Sequence, residues 1–130
     1  MKKYINLLRK YNLRPTKQRL ALAEILFEGV HRHATAEQLR GEVNAKGIVM
    51  SLATIYNTLN QFSRVGLLRE INLDDNVTIF DTNTSHHHHF FDQNSSELID
   101  IPDHKIKISD IPEPPDGQKI ERVDVVIRLS

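Results

Sequence analysis

Between Ser51 and Asp81 the spacing of apolar residues changes once, and that change limits the folds open to this chain. Leu52, Ile55, Tyr56, Leu59 and Phe62 repeat with helical period; Ser51 can cap the start and the end falls near Val65-Gly66. Two strand-like runs follow, 67–73 and 77–81, joined by Asp74-Asp75-Asn76, a good hairpin turn. Upstream, Tyr4, Leu7, Leu8 and Tyr11 make the apolar stripe of a first helix, which Asn12-Leu13-Arg14-Pro15 breaks. Thr16 can cap a second helix running to about Phe27 and ended by Gly29. Thr35 and Gln38 have capping-box spacing for a short third helix carrying Ala36, Leu39 and Val43. Several short helices followed by a hairpin is the order of a winged helix, in which the last helix enters the major groove and the hairpin flanks it.

Beyond Asp81 the character changes. Thr82-Asn83-Thr84-Ser85 is a polar hinge and four histidines, residues 86–89, come next. Phe90-Phe91 and Leu98-Ile99 belong to two strands around the turn Asn94-Ser95-Ser96. Residues 111–117 are too rich in proline for regular structure, and Val123, Val125, Ile127 and Leu129 alternate as in a half-buried strand. The expected organisation is a DNA-binding half at 1–82, a hinge at 83–85 and a second half at 86–130. With the hinge, that second part is about 48 residues, smaller than what usually folds alone, so pairing with a second subunit is expected.

Charge divides the same way. Residues 1–72 hold 12 Lys and Arg against 5 Asp and Glu, net +7, and residues 73–130 hold the reverse, 5 against 12, net −7. A basic front half suits a polyanionic partner, the alternative being a chance split between two solvated faces. Ser51, Thr54, Tyr56, Asn57 and Thr58 are placed to reach base edges or phosphates, and Tyr56 can offer its ring edge to a thymine methyl. The helix itself has no Lys or Arg, so phosphate contacts fall to Lys10, Arg14, Lys17 and Arg19, with Lys2, Lys3 and Arg9. A packed helical domain that recognises protein is the competing reading.

The chain has no cysteine, which excludes disulfides, thiol catalysis and every thiolate zinc site. Any metal must be held by His, Asp or Glu. In an extended segment alternate side chains share a face, pairing His86 with His88 and His87 with His89. Two imidazoles on one face, with a carboxylate from elsewhere, suit zinc, manganese or ferrous iron; a solvated polar loop is the bland alternative. No nucleophile motif or phosphate-binding glycine loop is present, so an enzyme is not expected. No apolar run suggests a membrane span or secretory signal, and cytoplasmic residence is the expectation.

Leu13-Arg14-Pro15-Thr16-Lys17-Gln18-Arg19, His33-Ala34-Thr35-Ala36-Glu37-Gln38-Leu39 and Leu52-Ala53-Thr54-Ile55-Tyr56-Asn57-Thr58-Leu59 resemble the ferric uptake regulator family, in order and through the histidine cluster. The resemblance implies an α+β protein, a winged helix followed by a small α/β dimerisation domain. It implies a homodimeric regulator binding double-stranded operator DNA, with no membrane partner and no small-molecule substrate. The segment 81–89, the ending 111–115 and residues 123–129 most resemble the iron response regulator branch, which senses haem status and controls iron and haem genes. A peroxide-sensing metal-dependent repressor of the same family is the alternative, and a metal-buffering protein a third reading.

The family's regulatory metal site, carried over position by position, falls on His33, Asp81, His87, His89 and Asp100. The two acids are Asp where many relatives have Glu. Metal there is expected to clamp the two halves and so set the spacing of the reading helices in a dimer. Where many relatives place a Cys-x-x-Cys zinc pair this chain has Asp92-Gln93-Asn94-Ser95, and Arg122 stands about where a second site has its last histidine. His86 and His88 are therefore left without obvious metal partners, and the branch resemblance makes them candidates for haem iron. His31 and His104 are expected on the surface.

Overall fold

The computed structural model describes residues 2–73 and 77–130, in two compact units divided between Thr84 and Ser85. The hairpin turn expected at Asp74-Asp75-Asn76 lies outside the described residues. Helices and strands are mixed in the order α1 (Lys2–Lys10), α2 (Lys17–Phe27), β1 (His33–Ala34), α3 (Ala36–Ala45), α4 (Leu52–Arg64), β2 (Arg69–Leu73) and β3 (Val77–Asp81). The second unit follows with β4 (His87–Asp92), β5 (Leu98–Pro102), a single 3-10 turn (Asp103–Lys105) and β6 (Val126–Leu129).

In the first unit the caps are those the sequence announces. The Thr16 hydroxyl accepts from the Arg19 amide, Ser51 accepts from Thr54, and Thr35 with Gln38 forms a complete capping box. α3 and α4 both end in Schellman turns, where Gly47 and Gly66 take φ of +82° and +85°. At the second of these, the amide of Gly66 bonds to Ser63 carbonyl oxygen at 3.1 Å and that of Leu67 to Phe62 at 2.9 Å. Leu8, Leu22, Leu26, Leu39, Val43, Ile55, Leu59 and Phe62 are wholly buried together, with Phe80 of the sheet. Leu67 and Leu68 also belong to this core, and both their amides turn back to Phe62. That is why β2 begins at Arg69 and not at the expected residue 67.

β3 is the central strand of the first sheet, in the order β1-β3-β2, and both neighbours run antiparallel to it. β1 was not legible beforehand, being two residues long. Its ladder with β3 sets His33 opposite Asp81 and Ala34 opposite Phe80.

The second unit is a three-stranded sheet in the order β5-β4-β6, β5 antiparallel and β6 parallel to β4. Among its described residues there is no α-helix, so the expected α/β composition of this part is corrected to a sheet with one 3-10 turn. Five prolines lie in the chain and four of them between 102 and 115, where missing N–H donors and restricted φ disfavour a helix. The β4–β5 turn is closed by Asp92, whose Oδ1 accepts from the amides of Asn94 at 2.9 Å and Ser95 at 3.2 Å. Those bonds hold its carboxyl below the usual carboxylate range. At this turn a side-chain hydrogen bond closes the chain locally.

Candidate metal centre and reading helix

β4 is extended through the histidines, so alternation pairs them as expected. The His87 and His89 rings lie 4.5 Å apart, centroid to centroid, and those of His86 and His88 5.2 Å apart. Register with β5 places His89 opposite Asp100. One carboxylate oxygen, Asp100 Oδ1, lies 3.4 Å from His87 Nε2 and 3.3 Å from His89 Nε2. The other ring nitrogen of His87 settles its tautomer. Nδ1 is 2.7 Å from the Ser85 carbonyl oxygen, an acceptor only, so Nδ1 carries the proton and donates. Nε2 then holds a lone pair aimed at the Asp100 side, which is how metal-ligating histidines are oriented by their outer hydrogen bonds. Two imidazole nitrogens and a carboxylate oxygen converging in this way fit a divalent cation.

The other pair is built differently. His88, 1% exposed, uses Nδ1 to accept the Val125 amide at 3.1 Å. Its lone pair is spent there, so the proton of the neutral ring sits on Nε2, which faces Asp103 Oδ1 at 3.1 Å. His86 faces the same Asp103 oxygen with Nδ1 at 3.0 Å and the Val123 carbonyl oxygen with Nε2 at 3.1 Å. The expectation that these two histidines lack partners is thus corrected: Asp103, which sequence reading passed over, serves both. The same contacts delay β6 to Val126, because Val123 and Val125 bond to imidazoles. His88 has its Nδ1 lone pair engaged by the Val125 amide, whereas the exposed His86 faces acceptors with both ring nitrogens, and with Asp103 the two form a donor cluster that could hold a metal ion. The cavity they border, about 470 Å³, is lined also by Ile106, Ile108, Ile111 and Arg122. His104 is exposed, as expected.

In the first unit the β1–β3 register brings His33 Nε2 to 3.6 Å from Asp81 Oδ2. Asp81 is fully buried, and its Oδ1 accepts the Asn83 amide at 2.9 Å, which orients the carboxylate and leaves Oδ2 toward His33. Thr82 continues the ladder, with its amide on the Arg32 carbonyl oxygen at 3.0 Å and its hydroxyl accepting the Arg32 amide at 2.8 Å. Each unit therefore presents its own share of the five expected ligands: His33 with Asp81, and His87 with His89 and Asp100. His31 is exposed.

On α4, Ser51 and Asn57 are exposed, Thr54 and Tyr56 half-buried, and Thr58 is buried, its hydroxyl donating to the Thr54 carbonyl oxygen at 2.9 Å. Thr58 is thereby removed from the face expected to meet DNA. Lys10, Arg14 and Lys17 are exposed. Arg19 is not a free cation. Its Nε and Nη2 donate to Gln61 Oε1 at 3.3 and 3.0 Å, and Nη1 to the Arg14 carbonyl oxygen at 2.8 Å. It ties α2 to α4, a role its place in a basic run gave no sign of.

These features have known counterparts. The sequence matches the model of the Ferric uptake regulator family over residues 10–127. It is 33% identical over 94 residues to the peroxide-responsive repressor PerR of Staphylococcus epidermidis, covering 72% of this chain and 62% of that protein. With the peroxide-responsive repressor PerR of Staphylococcus aureus it shares 31% identity over 94 residues, covering 72% and 63%. The chain thus spans somewhat less than two thirds of the curated relatives it matches. Its fold is similar to the ferric uptake regulator of Pseudomonas aeruginosa solved with manganese, at a TM-score of 0.73, 24% identity and coverage of 97% and 96%. It is equally similar to that of Vibrio cholerae, at a TM-score of 0.73, 21% identity and coverage of 95% and 96%. The chain belongs to the ferric uptake regulator family.

Proposed function

We propose that this protein is a homodimeric, metal-responsive transcription regulator that reads duplex DNA with α4 in the manner of a winged helix. The observation that carries the metal part is the tautomer of His87, whose protonated Nδ1 is held by Ser85 and whose Nε2 faces Asp100 beside His89. Family resemblance adds His33 and Asp81, paired within the first unit, to the ligands proposed for a divalent ion, manganese, iron or zinc. Ser85 and Asn83 keep His87 and Asp81 oriented beforehand, so less ordering is left to binding. The dimer reading is supported by Ile99, Phe90 and Ile127, which stand in one row across the second sheet. Ile99 and Ile127 are 45% and 39% exposed, so the row is an apolar face open to a second copy.

The test is selection from a randomised duplex pool by the metal-free and the manganese-loaded protein. A sequence enriched by one form and not the other supports the proposal. Equal and sequence-independent retention by both overturns it.

A second reading, a peroxide-sensing repressor, is favoured by the relatives' printed names. Peroxide treatment of the ferrous form should then add one oxygen atom to a ligand histidine by mass spectrometry. Control of iron and haem genes, the reading from the iron response branch, rests on the proline-rich ending and the histidine run. Haem held by His86 and His88 belongs to the same reading, with His86 the exposed member of the pair and His88 engaged at Nδ1 by the Val125 amide.

A further inference from the structure

We propose that Glu37 is a specificity-determining residue of the DNA interface, because it positions Tyr56 for base contact; this rests on the reading of α4 given above. Tyr56 lies on α4 and Glu37 in the first turn of α3. The tyrosine is held at two points. Its ring stands edge-on to Phe80 of β3, with centroids 6.4 Å apart at 61°, and its hydroxyl donates to Glu37 Oε1 at 3.3 Å. A tyrosine has only two side-chain torsions, so an anchor at each end of the ring fixes both its plane and its hydroxyl. Phe80 is fully buried in the core, and Glu37 lies in the first turn of α3, whose backbone start is set by the Thr35–Gln38 capping box. The reading group is therefore ordered before DNA arrives, and that ordering is not charged against binding.

The chemistry of Glu37 is otherwise out of place. An exposed carboxylate within a half that carries net +7 opposes phosphate. Its position at a helix N-terminus is favourable for an anion, but that would hold for any acid in the first turn. What distinguishes Glu37 is the tyrosine hydroxyl. Burial, and after it the Glu37 charge, push the Tyr56 hydroxyl above its ordinary range, so the group stays a donor. One residue thus orders the contact that discriminates sequence and weakens the contacts that do not.

Two substitutions separate positioning from charge. Glu37→Gln keeps an acceptor oxygen for the hydroxyl, whereas Glu37→Ala removes it; both remove the charge. The probe is the duplex that the wild-type protein enriches from a random pool, compared with a scrambled duplex of equal length. Both variants should bind the scrambled duplex somewhat more tightly. Glu37→Ala should lower the ratio of selected to scrambled affinity by about three- to tenfold beyond any loss shown by Glu37→Gln, the size of one hydrogen bond to a neutral acceptor. On a Tyr56→Phe background Glu37→Ala should add no further loss of ratio. In the free protein, ultraviolet titration of the Tyr56 signal, isolated by subtracting Tyr56→Phe, should move to lower pH in Glu37→Gln. Equal ratios for Gln and Ala, or additive losses in the double variant, overturn the inference alone. Failure of the wild type to select any duplex, with the titration shift present, overturns the reading of α4 and the inference with it.

Discussion

Replacing His87 and His89 together by alanine should abolish stoichiometric divalent metal binding, while replacing His86 and His88 should leave it intact. In the second unit the first pair supplies two of the three atoms that converge, His87 Nε2 and His89 Nε2 around Asp100 Oδ1. Loss of an outer-shell partner alone typically lowers metal affinity about 10–100-fold, so loss of two ligands should carry binding beyond calorimetric detection. The second pair costs something else. Without His88 the Val125 amide loses its acceptor, about 1–3 kcal/mol if water does not reach it. The His86/His88 variant should therefore melt several degrees lower yet bind manganese with near wild-type affinity and one ion per chain. The His87/His89 variant should lose the stabilisation that manganese gives the wild type. Calorimetric titration of manganese into both variants, each paired with a thermal melt, is the assay. Equal loss of binding in the two would refute the tautomer argument, since it would mean His88 Nε2 is as available as His87 Nε2.

Lys17→Ala should weaken binding to selected and scrambled duplexes alike and lower the salt slope by about one, whereas Tyr56→Ala should weaken the selected duplex by roughly 1–3 kcal/mol more than the scrambled one. Arg19→Ala, by contrast, should act first on stability, because it releases α4 from α2; a melting temperature unchanged from wild type would contradict that assignment. The bidentate pair of Arg32 with Glu42, at 2.7 and 2.8 Å, holds the Glu42 carboxyl below the usual carboxylate range, chiefly by the Arg32 hydrogen bond. A depressed folded value contributes stability above the unfolded value, lost as pH falls through the folded one. Acid melts of Glu42→Gln should accordingly converge with wild type at low pH and lie slightly below it near neutrality; a gap that widened in acid would refute this. Sedimentation should show a dimer at micromolar concentration, reduced by Ile127→Glu; a stable folded monomer of wild type would remove the proposed role of the Ile99, Phe90 and Ile127 face.

Much of the fold was legible because its signals are local. A capping box needs only Thr35 and Gln38, a Schellman turn only a glycine at the right place, and the histidine pairing only an extended backbone. The absence of cysteine alone confined metal chemistry to nitrogen and oxygen donors. Family resemblance then named His33, Asp81, His87, His89 and Asp100, of which the structure orients Asp81 through the Asn83 amide and His87 through the Ser85 carbonyl oxygen.

What the tertiary structure decided are hydrogen bonds between distant parts of the chain. Four histidines in a row are chemically identical in sequence, and what separates them is the atom each ring meets. Ser85 offers His87 a carbonyl oxygen, so its far nitrogen is left with a lone pair; Val125, 37 residues away, offers His88 an amide, so its far nitrogen is left with a proton. Arg19 likewise belongs to a run of cations by sequence and to Gln61, 42 residues on, by structure. Residue type and spacing set which donors a segment can offer. A ring's tautomer and an arginine's freedom depend on the partner it finds, and only the folded chain supplies that partner.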